Sequence, residues 1–374
     1  MNRRLEINEF LFDISYIVLF SALFIEDIAF IGNTAWAIKG LKLISICVLV
    51  ISTVRKRWEK KFLKKFFVGF AVGSLTLICT GDFFFFIVIL LGFNSIQVKD
   101  ENIYKLSYYC SILYLLITAV LYIYGVLPDV LSYRTDYSEE MRHSFGFVHS
   151  TVLPLLLCYV LIYYIAIKKE KARLFNVFVI ALMGVIAYQS CKSRNAFAGI
   201  IAIVIMVLIT KISFVKKWLV WIFKYTAEWI PIGAILLSCI PGILRYRGMF
   251  IDLWYKYDEI FTNRSLLAAA AIEEYGIQLI NCMKYSEYVN VSVRIGEKLF
   301  HGLILDSAYL YILIRYGILM TCFVYIVLHS FYKNIKDNIL IYSMFIILIV
   351  LNVTDNDMLS YGCLPVLVIG IRNV

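Results

Sequence analysis

Long apolar runs separated by short polar stretches, most of them basic, set the pattern of this chain. A helix needs roughly 20 mainly apolar residues to cross a bilayer. About twelve runs approach that length: 8–31, 35–54, 66–80, 83–97, 104–125, 150–167, 174–191, 195–211, 218–240, 306–330, 338–353 and 357–372. Backbone in lipid must satisfy its own hydrogen bonds, so these runs predict helices. The first follows a basic start, Met1 to Arg4, and carries no small-residue cleavage site, so it reads as a helix rather than a removed leader. The expected fold is all-α, a polytopic bundle forming a single membrane domain over 1–374.

The polar interruptions predict an orientation. With the N-terminus in the cytoplasm, the inner loops hold Arg55-Lys56-Arg57 through Lys65, Lys168-Lys169 with Lys171 and Arg173, Lys211 with Lys216-Lys217, and Lys333 with Lys336. The outer loops before residue 241 hold only Arg134, Arg142, Lys192 and Arg194. Basic residues concentrate on the cytoplasmic side of membrane proteins, so both termini are expected there. Lys39 and Lys42 fall at the outer end of the second span, from which long stems can reach the interface.

Two outer segments remain, 126–149 and 241–305. The second is long, and with Phe250, Trp254, Tyr255, Tyr257 and Phe261 it is too aromatic for disorder. A long ordered loop points to function, and this one is expected to be an extracytoplasmic subdomain with short helices. Within it, Thr262 or Asn263 offers a cap, Leu266 to Ile272 favours helix, and Gly276 offers a stop, which predicts a helix over 263–276.

Composition agrees with the pattern. The 374 residues are 62% hydrophobic and 17% charged, with a mean hydropathy of +0.82; soluble domains are about half apolar and about a quarter charged. The net charge of +10 lies largely in short loops, where it orients the chain, so nucleic acid is not an expected partner. The nine cysteines form no CxxC and no metal-ligand spacing, and they read as small apolar packing residues. Phosphate-loop, zinc-protease and nucleophile-elbow motifs do not occur, so no cofactor or metal is expected.

The candidate chemistry gathers at the outer helix ends. Arg142, His143 and His149 precede the sixth span; Ser193-Arg194-Asn195 links the seventh and eighth; Arg245, Arg247 and Arg264 lie on the long loop; Asp306 leads into the tenth span, with Arg315-Tyr316-Gly317 deeper inside it. Guanidinium groups bind phosphate bidentately and stay charged, which suits stabilisation of a departing lipid diphosphate. His143, His149 and Asp306 are the local proton acceptors for a hydroxyl. Ordinary roles compete at each position: arginines anchor helix ends, His149 can bond backbone, and Asp306 can cap a helix. Arg315, about nine residues into a span, must be functional or paired.

In this order the motifs resemble those of the Wzy-type polysaccharide polymerases of capsule, exopolysaccharide and O-antigen synthesis, within the wider O-antigen polymerase and ligase group. They are Gly146-Phe147-Val148-His149; Ser193-Arg194-Asn195; Arg264 ahead of an aliphatic helix ending Tyr275-Gly276; Asp306 with Tyr309; and Arg315-Tyr316-Gly317. The chain departs from the family where His149-Ser150-Thr151 stands in place of His-Pro-Asn. The resemblance implies a metal-independent bacterial membrane glycosyltransferase of GT-C-like architecture. It would pass a growing glycan from undecaprenyl diphosphate to a lipid-linked repeat unit on the outer face of the cytoplasmic membrane. Its implied partners are the lipid-linked donor and acceptor oligosaccharides, the bilayer and other polysaccharide assembly proteins. On this reading His149, Asp306, Arg194 and Arg264 are catalytic, and Arg142, Arg245, Arg247 and Arg315 bind substrate. The rivals are a lipid-linked oligosaccharide flippase or transporter, an O-antigen-type ligase, and a non-catalytic assembly partner. Charges gathered at one face without an internal repeat weigh against a through-path.

Overall fold

Apolar runs form helices, and glycine, proline and charged stretches end them. In a computed structural model, residues 2–30, 34–56, 60–133, 141–226, 228–261, 264–283, 292–295, 298–301, 305, 307–356 and 358–374 are described. They form sixteen α-helices: α1 (Asn2–Glu26), α2 (Ala35–Arg55), α3 (Lys60–Thr80), α4 (Phe84–Asn94), α5 (Asp100–Ile123), α6 (Val152–Lys168), α7 (Leu174–Cys191), α8 (Arg194–Ile209), α9 (Ser213–Thr226), α10 (Ile230–Tyr246), α11 (Ile251–Phe261), α12 (Arg264–Tyr275), α13 (Ala308–Tyr316), α14 (Ile318–Ile335), α15 (Ile339–Thr354) and α16 (Leu364–Asn373). Two antiparallel hairpins accompany them, β1 (Ser132–Tyr133) with β2 (Met141–Arg142), and β3 (Ser292–Ile295) with β4 (Lys298–His301).

Among the described residues, seven helices are long and apolar enough to cross a membrane, those within α1, α2, α3, α5, α6, α7 and α14, or eight spans if the bent pair α8 and α9 counts as one. α4, α10, α15 and α16 are apolar but shorter. The molecule is a multi-pass, all-α membrane protein. α6 lies at its centre, with every residue from Pro154 to Ala166 buried, as a helix apolar on all sides should be. α2 buries only Ser45, Leu49 and Ser52, and α2 and α7 leave Trp36, Val54, Phe175, Leu182 and Ile186 exposed. Apolar side chains on a helix exterior need lipid around them. Lys42 reaches Glu26 at the end of α1 at 2.6 Å, which accounts for a cation in that part of α2.

Two expected spans are each divided in the structure. The run 218–240 becomes α9 and α10. α9 is bent by 116° from α8 and exposes Phe214, Trp218, Trp221 and Tyr225. An aromatic face with Lys216 and Lys217 beside it suits the membrane interface rather than its centre. The run 306–330 divides at Gly317 into α13, whose nine residues are all buried, and α14. Arg315 therefore does not lie deep in a long span: it closes a short helix.

Gly317 has φ +88° and ψ −179°, a conformation almost confined to glycine. The break leaves backbone groups of both helices unpartnered, and the segment 278–281 supplies them. Ile318 and Leu319 donate to the carbonyls of Gln278 and Leu279, each at 3.0 Å, while Asn281 donates from its backbone N–H to Tyr316 O (3.3 Å) and from its side chain to Ile314 O (2.5 Å). This is how a broken helix survives in a low-dielectric interior. A Cβ on Gly317 would meet Leu279 O at 2.8 Å and Asn281 N at 2.9 Å. Earlier in the chain, α12 packs closely on α10, where a Cβ on Gly242 would come within 2.5 Å of the Ala268 Cβ.

Gly317→Ala is expected to destabilise the fold by at least about 1–3 kcal/mol, the usual cost of such a backbone conformation for a residue with a side chain. Thermal unfolding in detergent checks this, and an unchanged melting temperature would count against the described break.

Candidate functional site

Hydrogen bonds knit several chain segments together at one end of the bundle, called here the loop face. The 142–148 segment is anchored on both sides. Val148 donates to Asp27 O and Ala29 to Gly146 O, each at 2.9 Å, and His143 donates through its backbone N–H to Ser190 O (3.1 Å) at the end of α7. Four residues past Ser190, with Lys192 in a left-handed conformation (φ +54°), the chain turns into α8 at Arg194. Asn195 Nδ2 donates to Asp355 Oδ1 (3.3 Å) at the end of α15. The Asp355 carbonyl accepts from Ala308 (3.3 Å), the first residue of α13.

Beside that junction opens a small cleft lined by Arg264, Ser265, Tyr257, Ser307, Leu310 and Val353 among others. Arg264 is the first residue of α12. The loop face thus connects the surroundings of Arg142, Arg194 and Arg264 through backbone and side-chain bonds. Arg194 and His149 are exposed, and Arg142 is half-buried. Asp306 lies outside the described residues, and Ser307 caps α13, accepting from the Leu310 N–H at 3.5 Å.

Arg245 and Arg315 have partners inside the fold. Arg245 pairs with the buried carboxylate of Asp258 and donates to Ser265 Oγ at 2.9 Å. Asp258 Oδ1 also accepts the Ser265 N–H at 2.8 Å, so α12 is capped by the preceding helix; the expected caps Thr262 and Asn263 lie outside the described residues. Gly276 (φ +69°) ends α12 where its sequence position suggests. The Arg245–Asp258–Ser265 cluster holds α10, α11 and α12 together and places Arg264 at the cleft. Arg247 is exposed at the end of α10.

Arg315 lies against the rings of Tyr311 and Tyr316 and reaches Asp82 Oδ2 at 3.2 Å. Asp82 sits in the turn between α3 and α4, where it accepts the Phe84 N–H (2.9 Å) and the Tyr316 hydroxyl (2.8 Å). Burial works against its charge, but Arg315, Lys42, the Phe84 N–H and the Tyr316 hydroxyl together outweigh burial and hold its pKa below the usual carboxylate value.

Sequence reasoning missed a second Asp-centred cluster. Asp129 Oδ2 lies 2.6 Å from His143 Nδ1, and Oδ1 accepts the N–H groups of Ser144 (2.8 Å) and Phe145 (3.0 Å). Phe145 (φ +50°) and Gly146 (φ +87°) are both left-handed, so the chain turns sharply just after these two N–H groups. Desolvation pushes the Asp129 pKa up, and the His143 and backbone bonds overcome it and lower the pKa. Asp129 follows Pro128, and that pair reads as plain turn chemistry, so nothing in the sequence marked it.

Among the described residues, no three His, Cys, Asp or Glu side chains gather to hold a metal. No family model, no curated protein and no solved structure matches the chain.

Arg245→Ala should cost about 3–5 kcal/mol, because Asp258 is left buried and charged. The double variant Arg245→Ala/Asp258→Ala should recover much of that loss, and Arg247→Ala, at an exposed position, should change stability by less than about 0.5 kcal/mol. Chemical or thermal unfolding of the four proteins checks the ordering. For Asp129 the lowered pKa fixes the sign: its contribution is complete at neutral pH and is lost as pH falls through its folded value, which lies below 3.8. Asp129→Asn should therefore be less stable than wild type at pH 7, and the difference should shrink as pH falls through the folded value, measured as melting temperature against pH.

Proposed function

We propose that this protein is a polysaccharide polymerase of the bacterial cytoplasmic membrane, moving a growing glycan from undecaprenyl diphosphate to a lipid-linked repeat unit. The observation that carries the reading is the loop face itself. Three arginines from separated parts of the chain, Arg142, Arg194 and Arg264, border segments joined by the Ser190, Asn195–Asp355 and Ala308 contacts, next to a cleft at the end of an apolar bundle. A lipid diphosphate brings its charge to that depth of a membrane, and its prenyl chain belongs beside apolar helices.

On this proposal the loop face is extracytoplasmic, both termini are cytoplasmic, and the shorter helices α4, α8, α10, α15 and α16 complete about twelve crossings. The acceptor sugar hydroxyl attacks the anomeric carbon of the donor, and the bond from that carbon to the diphosphate oxygen breaks. Arg264, Arg194 and Arg142 stabilise the departing diphosphate without a metal ion. The hydroxyl proton passes to a histidine. With its Nδ1 proton donated to Asp129, His143 keeps Nε2 as the basic nitrogen, in the manner of a carboxylate-oriented imidazole. His149 and Asp306 remain alternative acceptors. Arg245 and Arg315 act by holding α12 and the α3–α4 turn in place.

Arg264→Ala and Arg194→Ala should each lower transfer by about 10²–10³-fold, the usual effect of removing one donor from a developing anion. In cells, long polymer should disappear while lipid-linked single repeats accumulate. Sizing of lipid-linked glycans checks this. Full-length chains retained on lipid would identify a ligase instead, and repeats trapped on the inner leaflet a flippase.

A further inference from the structure

We propose that Cys79 and Cys282 form a disulfide that staples the segment following α12 to the end of α3. Cys79 is the second-last residue of α3, and Cys282 follows Asn281, whose backbone and side chain are both fixed on α13 by hydrogen bonds. Cys79, Thr80, Ile280 and Asn281 line one small cleft between α3 and the Gly317 break. The two cysteines, 203 positions apart in the chain, lie close enough to interact electrostatically. Cys282 is exposed and Cys79 half-buried, whereas Cys110, Cys158, Cys191, Cys239 and Cys363 are buried.

The proposal depends on the orientation that puts the loop face outside the cytoplasm, where disulfides persist. It does not depend on the glycan chemistry. The oxidant is a disulfide-bearing thiol oxidoreductase of the extracytoplasmic space. The exposed Cys282 attacks as thiolate and forms a mixed disulfide with the oxidant, releasing one of its sulfurs as a thiol. Cys79 then displaces the second sulfur. One S–S bond forms in the protein as one breaks in the oxidant, and the two thiol hydrogens end on the oxidant's sulfurs. The product fixes the chain a few residues beyond the C-terminal end of α12, the helix that begins with Arg264. It therefore secures the chain after α12, whose start is held by the Arg245–Asp258 pair.

The test uses the full-length protein, purified from membranes, alkylated in denaturant without reduction, digested and analysed by mass spectrometry. The expected result is a peptide pair joined through Cys79 and Cys282 that separates on reduction and does not form in Cys79→Ser. Recovery of both residues alkylated without reduction would overturn the proposal. Orientation is tested separately with a membrane-impermeant maleimide on intact cells carrying Cys79→Ser, with Cys79→Ser/Cys282→Ser as the baseline. Labelling of Cys282 from outside supports the orientation, so that free thiols in wild type would then sink the disulfide alone. Labelling only after the cells are opened would sink the orientation and the disulfide together.

Discussion

A polar group inside this molecule has no water to fall back on, so every interruption of a helix must find its partners elsewhere in the chain. The break at Gly317 shows what that demand does to the architecture. Opening the helix there exposes the N–H groups of Ile318 and Leu319 and the carbonyls of Ile314 and Tyr316, and the strand of residues 278–281 meets all four. One end of the long loop is thereby fixed to the bundle. Since α12 lies just upstream of that strand, the position of Arg264 follows from a backbone constraint some fifty residues away in sequence.

The same demand governs the charges. Asp258 answers Arg245, Asp82 answers Arg315, Asp129 answers His143, and Asp355 receives Asn195. Each carboxylate fixes a turn or a helix start as well as a partner: Asp258 caps α12, Asp82 binds the first turn of α4, and Asp129 gathers the N–H groups of Ser144 and Phe145. Two of the arginines expected to bind substrate, Arg245 and Arg315, are paired with carboxylates as a result. On the proposed reading, Arg142, Arg194 and Arg264 are the arginines that meet the diphosphate at the loop face.

The helices were largely legible because lipid imposes a single strong pattern, a long apolar run between polar ends. Gly276 as the stop of α12 was legible for a local reason, its tolerance of positive φ. Where the reading erred, local pattern and tertiary packing disagreed. Phe, Trp and Tyr counted as apolar in 218–240, yet with Lys216 and Lys217 they form an amphipathic α9 beside a separate α10. Gly317 looked like one small residue in a span, because its need for a left-handed conformation arises only when 278–281 packs against it. The cations stood out against apolar sequence. Their carboxylate partners did not, since Arg315 and Asp82 are 233 positions apart; the Asp129–His143, Asn195–Asp355 and Tyr316–Asp82 contacts likewise join residues 14, 160 and 234 positions apart.

The central claim is that Arg142, Arg194 and Arg264 bind one lipid diphosphate together at the loop face. Its most direct test is equilibrium binding of a polyprenyl diphosphate to the protein in nanodiscs, comparing wild type with the triple alanine variant. The account predicts at least about a tenfold rise in Kd for the variant, an affinity in wild type that weakens with added salt, and little change for Arg247→Ala. Equal affinity in the wild type and the triple variant would contradict it.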